Sequence, residues 1–292
     1  MSHSRTGVKT LEPGSLNVSG TRAARRSLAE RLLIGIAVAY AALLLVGPLA
    51  AMGWNAFAGG AGEFFKQVTS PDAISALKLT LLIAAASTAI NTVFGLSVAW
   101  LLVRDKPFPG RGIVNSLVDL PFAVSPVIAG FMLILLFGRS GWLAPVADRL
   151  GIKVVFALPG MLLATIFVSL PFVIREVMPV WIQVGTEQEH AAYTMGASHL
   201  QTFWHVTLPA IKWGLLYGVS LSFARAVGEI GAVLVVSGNV SGMTETATLF
   251  VYRSLDDRNY VGAFAMALVL AVASFLILAL MEWLNKRPEI KR

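Results

Sequence analysis

Six long apolar segments constrain the fold of this chain more than any other feature. A helix needs about 20 predominantly apolar residues to cross the hydrocarbon core of a bilayer, and each segment reaches that length. Only 13% of the residues are charged, against about 25% in soluble domains. We therefore predict an all-α, multi-pass membrane protein with six transmembrane helices. The segments are residues 32–52, 74–103, 113–137, 155–181, 211–236 and 261–284.

The basic residues predict an orientation for these segments. Lys and Arg concentrate in the short cytoplasmic loops of membrane proteins. Thirteen of them lie on one side of the predicted membrane and six on the other. We therefore predict that both termini are cytoplasmic, together with the polar segment 182–210. The basic side comprises residues 1–31, 104–112 and 286–292, and the opposite side comprises 53–73, 138–154 and 237–260.

Three regions follow from this pattern, and several classes of site are excluded. Residues 1–27 are polar and aperiodic, which predicts a disordered cytoplasmic tail. Residues 28–285 form the predicted transmembrane domain, and 286–292 form a second cytoplasmic tail. The sequence has no cysteine, its four histidines form no metal-ligand pattern, and the usual catalytic motifs are missing. The net charge of +7 lies in the flanking segments, so it predicts membrane topology and not binding to nucleic acid.

The polar segment 182–210 is the strongest candidate for a functional site. Its residue pattern predicts a short helix, a left-handed break at Gly196, and a second helix capped by Ser198 and ended by Pro209. Helices that lie on lipid headgroups are usually basic, whereas this segment contains Glu187 and Glu189 and no Lys or Arg. We therefore expect it to bind a protein partner in the cytoplasm.

The same segment resembles the "EAA" loop of ABC importer permeases, E-A-A-x3-G-x9-I-x-L-P. Both alanines, the glycine and the final Leu-Pro match in register, while His190 occupies the glutamate position and Glu189 precedes it. The resemblance implies a loop that couples this chain to an ATPase. The implied coupling residues are Glu187, Glu189, His190, Ala191, Ala192, Gly196, Ala197, Leu208 and Pro209.

Residues 119–130, 155–168 and 223–239 are similar to permeases of the molybdate/sulfate family, of the sulfate/thiosulfate CysW type. The resemblance implies the type I ABC importer permease fold in the bacterial inner membrane. It also implies a second, CysT-type permease, two ATP-binding subunits and an extracytoplasmic sulfate-binding protein. The chain itself would be non-catalytic and without a cofactor, since the partner ATPase would bind ATP and Mg²⁺. The alternatives are a molybdate or tungstate importer, and a secondary transporter that works without an ATPase.

Polar residues inside the predicted spans are candidates for the translocation path. Arg225 and Glu229 are four residues apart and can pair on one helix face, either as a gate or anion lining or as a structural ion pair. Asp119 and Ser125 flank a proline-rich kink that either borders an aqueous path or packs on a neighbouring helix. The adjacent Arg175 and Glu176 are expected at the cytoplasmic interface. The outer segments 242–248 and 253–260 are either solvated or, by resemblance, contact the binding protein.

Overall fold

The structure is a computed structural model, and it describes residues 28–104 and 108–285, within which every regular element is a helix. The predicted tails 1–27 and 286–292 lie outside the described residues. A π-helical turn, Phe203–Thr207, joins α9 to α10. The helices are α1 (Leu28–Ala56), α2 (Gly60–Val68), α3 (Pro71–Val103), α4 (Arg111–Ala123), α5 (Pro126–Phe137), α6 (Ala144–Arg149), α7 (Leu158–Val184), α8 (Glu187–Thr194), α9 (His199–Thr202), α10 (Leu208–Val227), α11 (Gly231–Val236), α12 (Ala247–Asp256) and α13 (Tyr260–Asn285).

Five helical stretches are long and apolar enough to cross a membrane, and a bent pair of helices supplies a sixth. The prediction of six apolar spans therefore agrees with the described residues when the bent pair counts as one. The five are Leu32–Ala56, Pro71–Val103, Leu158–Val184, His199–Val227 and Tyr260–Leu280. By contacts the chain divides into two compact units, Met1–Pro48 and Leu49–Arg292. In the first, the described residues belong to α1; all the packing below lies within the second.

Two predicted spans are interrupted, and this corrects the prediction of continuous helices. The third is not one kinked helix, because the helix axis bends by 112° between α4 and α5. Residues 124 and 125 between them are extended, because the ring of Pro126 disfavours helical geometry in the residue before it. The fifth predicted span ends as a helix at Val227 and resumes at Gly231.

Helix α7 lies at the centre of the second unit and packs against α3, α4, α5, α10 and α11. Glycines allow the closest of these contacts: a Cβ on Gly218 of α10 would lie 3.0 Å from the Cα of Val173. A Cβ on Gly214, one turn earlier, would lie 2.7 Å from the side chain of Val180. In membranes, where water does not drive helices together, small residues at four-residue spacing permit this close backbone packing.

A few polar side chains cross-link the apolar interior. The amide of Asn91 on α3 donates to the hydroxyl of Ser169 and the carbonyl of Ile166, both on α7, at 2.9 and 3.1 Å. Ser222 of α10 donates to the Ser169 carbonyl at 3.4 Å. These bonds fix α3, α7 and α10 against one another, which positions the ends of the three helices for the site described next.

Candidate functional site

The polar segment 182–210 forms a compact helical projection at one end of the bundle, which we call the coupling loop. It follows α7 through Gly185, whose φ is +69°, and it leads directly into α10. Arg104, the residue that caps the C-terminus of α3, lies against its base. The coupling loop is therefore attached to the ends of three packed helices.

Glu189 fastens the coupling loop from inside. Its side chain is buried and forms an ion pair with Arg104, with Oε2 3.1 Å from the guanidinium Nε. Its Oε1 accepts a hydrogen bond from the hydroxyl of Thr207 at 2.8 Å. The Nη2 of the same guanidinium group donates to the carbonyl of Gly185. The guanidinium group also lies 5.9 Å from the ring centre of Trp181. Glu189 therefore contacts its own chain, while His190 beside it is exposed.

Gly196 and Ser198 build the corner between α8 and α9 as the sequence predicts. Gly196 has φ +87°, and its N–H donates to the carbonyl of Tyr193, while Ala197 donates to Ala192. This pair of bonds is the Schellman arrangement that ends helices at a left-handed residue. Ser198 and Gln201 then form a capping box, in which each side chain bonds the backbone N–H of the other. Both predictions are confirmed.

The predicted helix stop at Pro209 is wrong. Helical backbone continues from His199 to Val227, because a π-helical turn lies just before the proline. A proline inside an α-helix lacks a donor and its ring clashes with the carbonyl four residues earlier. The wider π turn redirects these bonds: Leu208 donates five residues back, to Phe203, and Pro209 falls in the first turn of α10.

The coupling loop exposes three large apolar side chains among mostly polar ones. Met195, Leu200 and Trp204 are 83%, 68% and 56% exposed, although all three lie in a segment that sequence predicts to be in water. Ala191 is exposed with them, whereas Ala192 is buried inside the loop. Of the two alanines in the predicted coupling set, only Ala191 is therefore accessible. These exposed apolar side chains are candidates for contact with a protein partner.

A second site is a cleft of about 500 Å³ at the break between α4 and α5. The extended residues at the break form one wall, and α7 and α10 form the other. Ser125 and Arg225, both predicted from the sequence as path residues, meet in this cleft. Its lining is Pro121, Phe122, Ala123, Val124, Ser125, Pro126, Val168, Phe172 and Arg225.

Arg225 and Glu229 form the predicted ion pair, with a distance of 2.8 Å between Nη1 and Oε2. Their surroundings differ, since the Arg225 side chain is 31% exposed and that of Glu229 is 2% exposed. Glu229 also accepts a hydrogen bond from the N–H of Ala232, at the start of α11, at 2.8 Å. The carboxylate is thus held at the break between α10 and α11, and the cation borders the cleft.

Asp119, the third predicted path residue, is not among the residues that line the cleft. It forms a two-pronged ion pair with Arg175 of α7, at 2.6 and 2.7 Å. Arg175 also bonds the side chain and backbone of Asn115, each at 3.1 Å. Sequence reasoning expected Arg175 at an interface and did not pair it with Asp119, because the two are 56 residues apart and only the fold brings them together.

The comparisons with known proteins agree on what kind of protein this is. Residues 91–290 match the family model "Binding-protein-dependent transport system inner membrane component". The chain belongs to this family. It is 47% identical to the sulfate transport system permease protein CysW of Synechococcus elongatus over 90% of this chain and 91% of the relative. It is 38% identical to CysT, a sulfate transport system permease protein of Escherichia coli K12, over 88% of this chain and 92% of the relative.

A solved structure supports the fold. A chain of a bacterial alginate ABC transporter, crystallised with an alginate-bound periplasmic protein, superposes with a TM-score of 0.73. The match covers 88% of this chain and 93% of that chain at 18% identity, so it shows shared architecture. This inner membrane component is accordingly a multi-pass integral membrane permease with an ABC transporter permease fold.

At the end of the permease opposite the coupling loop, one arginine forms ion pairs with three carboxylates. Arg253 of α12 pairs with the buried Glu245 at 2.5 Å, with Asp257 at 3.5 Å and with Asp72 of α3 at 3.7 Å. The hydrogen bond that Arg253 donates to Glu245, followed by the nearby negative charges, raises the pKa of Arg253 above its ordinary value. The segment 237–259 is therefore fastened to the start of α3, and part of it, Ala247–Asp256, is helix α12 and not a loop.

Proposed function

We propose that this chain is the CysW-type permease subunit of an ATP-driven sulfate importer, and that thiosulfate shares the route. One observation carries the proposal: in a member of this family, the polar segment 182–210 folds into a projection anchored to α3, α7 and α10. The near full-length similarity to sulfate transport permeases supplies the substrate class.

The coupling loop serves as the docking element for an ATP-binding subunit. Met195 and Leu200 enter an apolar groove on that subunit, and Ala191 allows its backbone to come close. Gly196 sets the corner that orients these contacts. The complete transporter contains two ATP-binding subunits, which bind ATP and Mg²⁺, together with a second, CysT-type permease and an extracytoplasmic sulfate-binding protein. This chain performs no chemistry of its own.

Transport proceeds by alternating access between the two sides of the membrane. Closure of the ATPase dimer moves the coupling loop, and with it the ends of α3, α7 and α10. The interrupted helices, α4–α5 and α10–α11, are the natural points of bending, because their backbones are already broken there. The cleft between them, bordered by Arg225 and Ser125, forms part of the anion path.

The orientation follows the distribution of basic residues. Both termini and the coupling loop face the cytoplasm, and the outer segment 237–259 faces the binding protein. Residues 1–27 remain a predicted disordered tail, which lies outside the described residues.

Uptake by the purified complex tests this function. The permease is reconstituted in vesicles with its second permease and ATPase subunits, and labelled sulfate, thiosulfate, molybdate and tungstate are supplied with the binding protein. We expect ATP-dependent uptake of sulfate and thiosulfate, which stops when the ATPase carries an inactivating substitution in its nucleotide site. Preference for molybdate or tungstate would contradict the substrate. Uptake that persists with the inactive ATPase would contradict the ABC mechanism and favour a secondary transporter.

A further inference from the structure

The guanidinium group of Arg104 joins the end of α3 to the coupling loop. It is the C-terminal cap of α3, donates to the carbonyl of Gly185 after α7, and pairs with Glu189 of α8. Through Glu189 it also reaches Thr207, immediately before α10. A cation in this position also interacts favourably with the negative end of the α3 dipole.

Because both side chains are buried, separating Arg104 from Glu189 costs free energy. A buried carboxylate that loses its cation is left without compensation in a poorly solvated site, and that is costly. Glu189 and Arg104 are both buried, so any displacement of α8 away from α3 would strand two charges at once. The coupling loop and the end of α3 are therefore expected to move as one body.

Helix α3 continues this connection to the other end of the permease. Its 33 residues are uninterrupted, which corresponds to a length of about 50 Å. Near its start, the hydroxyl of Thr80 accepts a hydrogen bond from the N–H of Ala247, the first residue of α12, at 2.8 Å. Asp72 contacts Arg253 of the same helix at 3.7 Å. By contrast, α4–α5 and α10–α11 are both broken along the way.

We infer that Arg104 and Glu189 are a positioning pair that fastens the coupling loop to α3, so that α3 carries the movement of the loop to the outer segment 237–259. The inference rests on the proposed function and assigns a task to the loop's buried acidic side chain. Glu189 does not face the ATPase; the exposed contacts fall to His190, Met195 and Leu200. The coupling must be reciprocal, so binding at the outer segment also biases the loop.

The test is done in the complete reconstituted transporter. It compares basal ATP hydrolysis with two measures of coupling, which are stimulation of ATP hydrolysis by the binding protein and sulfate taken up per ATP hydrolysed. Glu189→Gln keeps the shape of the side chain and an acceptor for Thr207 but removes the charge that holds Arg104. We expect complex assembly and basal ATP hydrolysis to persist. Stimulation of ATP hydrolysis by the binding protein, and sulfate taken up per ATP hydrolysed, should each fall by about fivefold or more, the range in which coupling between sites is commonly found. Ser97→Ala, an exposed change on α3 outside the coupling loop, should leave both ratios unchanged.

A double-mutant cycle shows whether the two residues act through each other. Arg104→Gln alone should reduce the same two ratios, and the double variant Arg104→Gln/Glu189→Gln should be no worse than the more damaged single variant. Independent residues would instead give effects that multiply, and that result would overturn the inference. So would a Glu189→Gln transporter with wild-type ratios.

Two further results keep the test decisive. If Glu189→Gln prevents assembly, Arg104→Gln is compared with Arg104→Lys, which keeps a cation for Glu189. Arg104→Lys should retain the two ratios that Arg104→Gln lowers, and equal ratios for these two variants would overturn the inference. The wild-type complex is measured alongside. If it transports molybdate and not sulfate, the proposed substrate fails, and the ratios, taken with molybdate, still decide the role of the pair.

Discussion

Arg225 is the residue whose environment says most about the anion path. It borders the cleft, while Glu229, its ion-pair partner, is buried and bonded to the backbone of Ala232. The sequence predicted the pair but left open whether it was a gate or a structural lock. The unequal exposure of the two side chains favours a cation available to an anion, with the carboxylate acting as its anchor.

Neutral variants separate the two roles of this pair. If Arg225 serves the anion, Arg225→Gln should reduce sulfate uptake by about tenfold or more, since one charged hydrogen bond is worth about 1.5–3 kcal/mol. Glu229→Gln should retain uptake. Both are measured in vesicles beside co-purification of the complex, with Ser220→Ala, on α10 outside the cleft, as control. A double variant Arg225→Gln/Glu229→Gln with normal uptake would show that the pair is structural.

At the scale of elements, the packing of α10 on α7 decides where the coupling loop sits. The sequence shows two glycines four residues apart, Gly214 and Gly218, but the pattern alone does not name the helix that faces them. The structure shows that α7 does, with backbone so close that a methyl group would not fit without movement. The breaks between α4 and α5 and between α10 and α11 are likewise placed by local sequence, while their bend angle depends on what packs around them.

Gly218→Ala should destabilise the permease through this contact. Its Cβ would meet the Cα of Val173 at 3.0 Å, and forcing extra volume into a packed contact costs about 1–3 kcal/mol. We expect a lower midpoint in thermal unfolding of the purified complex, followed by loss of the monodisperse peak in size-exclusion chromatography. Gly112→Ala, where a Cβ meets nothing within 4 Å, is the matched control. Equal midpoints for the two variants would show that α10 and α7 can separate freely.

At the scale of the whole molecule, two ends of the packed bundle carry different chemistry. One holds the Arg104–Glu189 pair and the exposed apolar residues of the coupling loop, and the other holds Arg253 with its three carboxylates. Because the pKa of Arg253 is raised, the cation and the stability it provides are fully present at neutral pH and are lost only as the pH rises through its folded-state value. Arg253 therefore stays charged throughout the physiological pH range.

The proposed orientation can be checked directly because the sequence contains no cysteine. Gln188→Cys in the coupling loop and Ser140→Cys in the segment after α5 are both at exposed positions. In spheroplasts, a membrane-impermeant maleimide should label the Ser140→Cys variant at once and the Gln188→Cys variant only after permeabilisation. Labelling of both without permeabilisation would contradict the topology.

The membrane class, the apolar spans, the cap at Ser198, the left-handed turn at Gly196 and the chain segment that forms the coupling loop could all be predicted from the sequence. These properties depend on residues close together in the chain, through hydrophobic length, capping and backbone sterics. The family resemblance was also readable from motifs, and the comparisons confirm it. The role of each loop and path residue stays a prediction.

Which charges form pairs depends on the tertiary structure. Asp119 pairs with Arg175, 56 residues away in the sequence, and Arg104 pairs with Glu189, 85 residues away. It also turned Glu189 inward, replaced the expected stop at Pro209 by a π turn, and bent the third span into two helices. A buried charge needs an oppositely charged or hydrogen-bonding partner. The local sequence does not show which distant residue the fold places beside it.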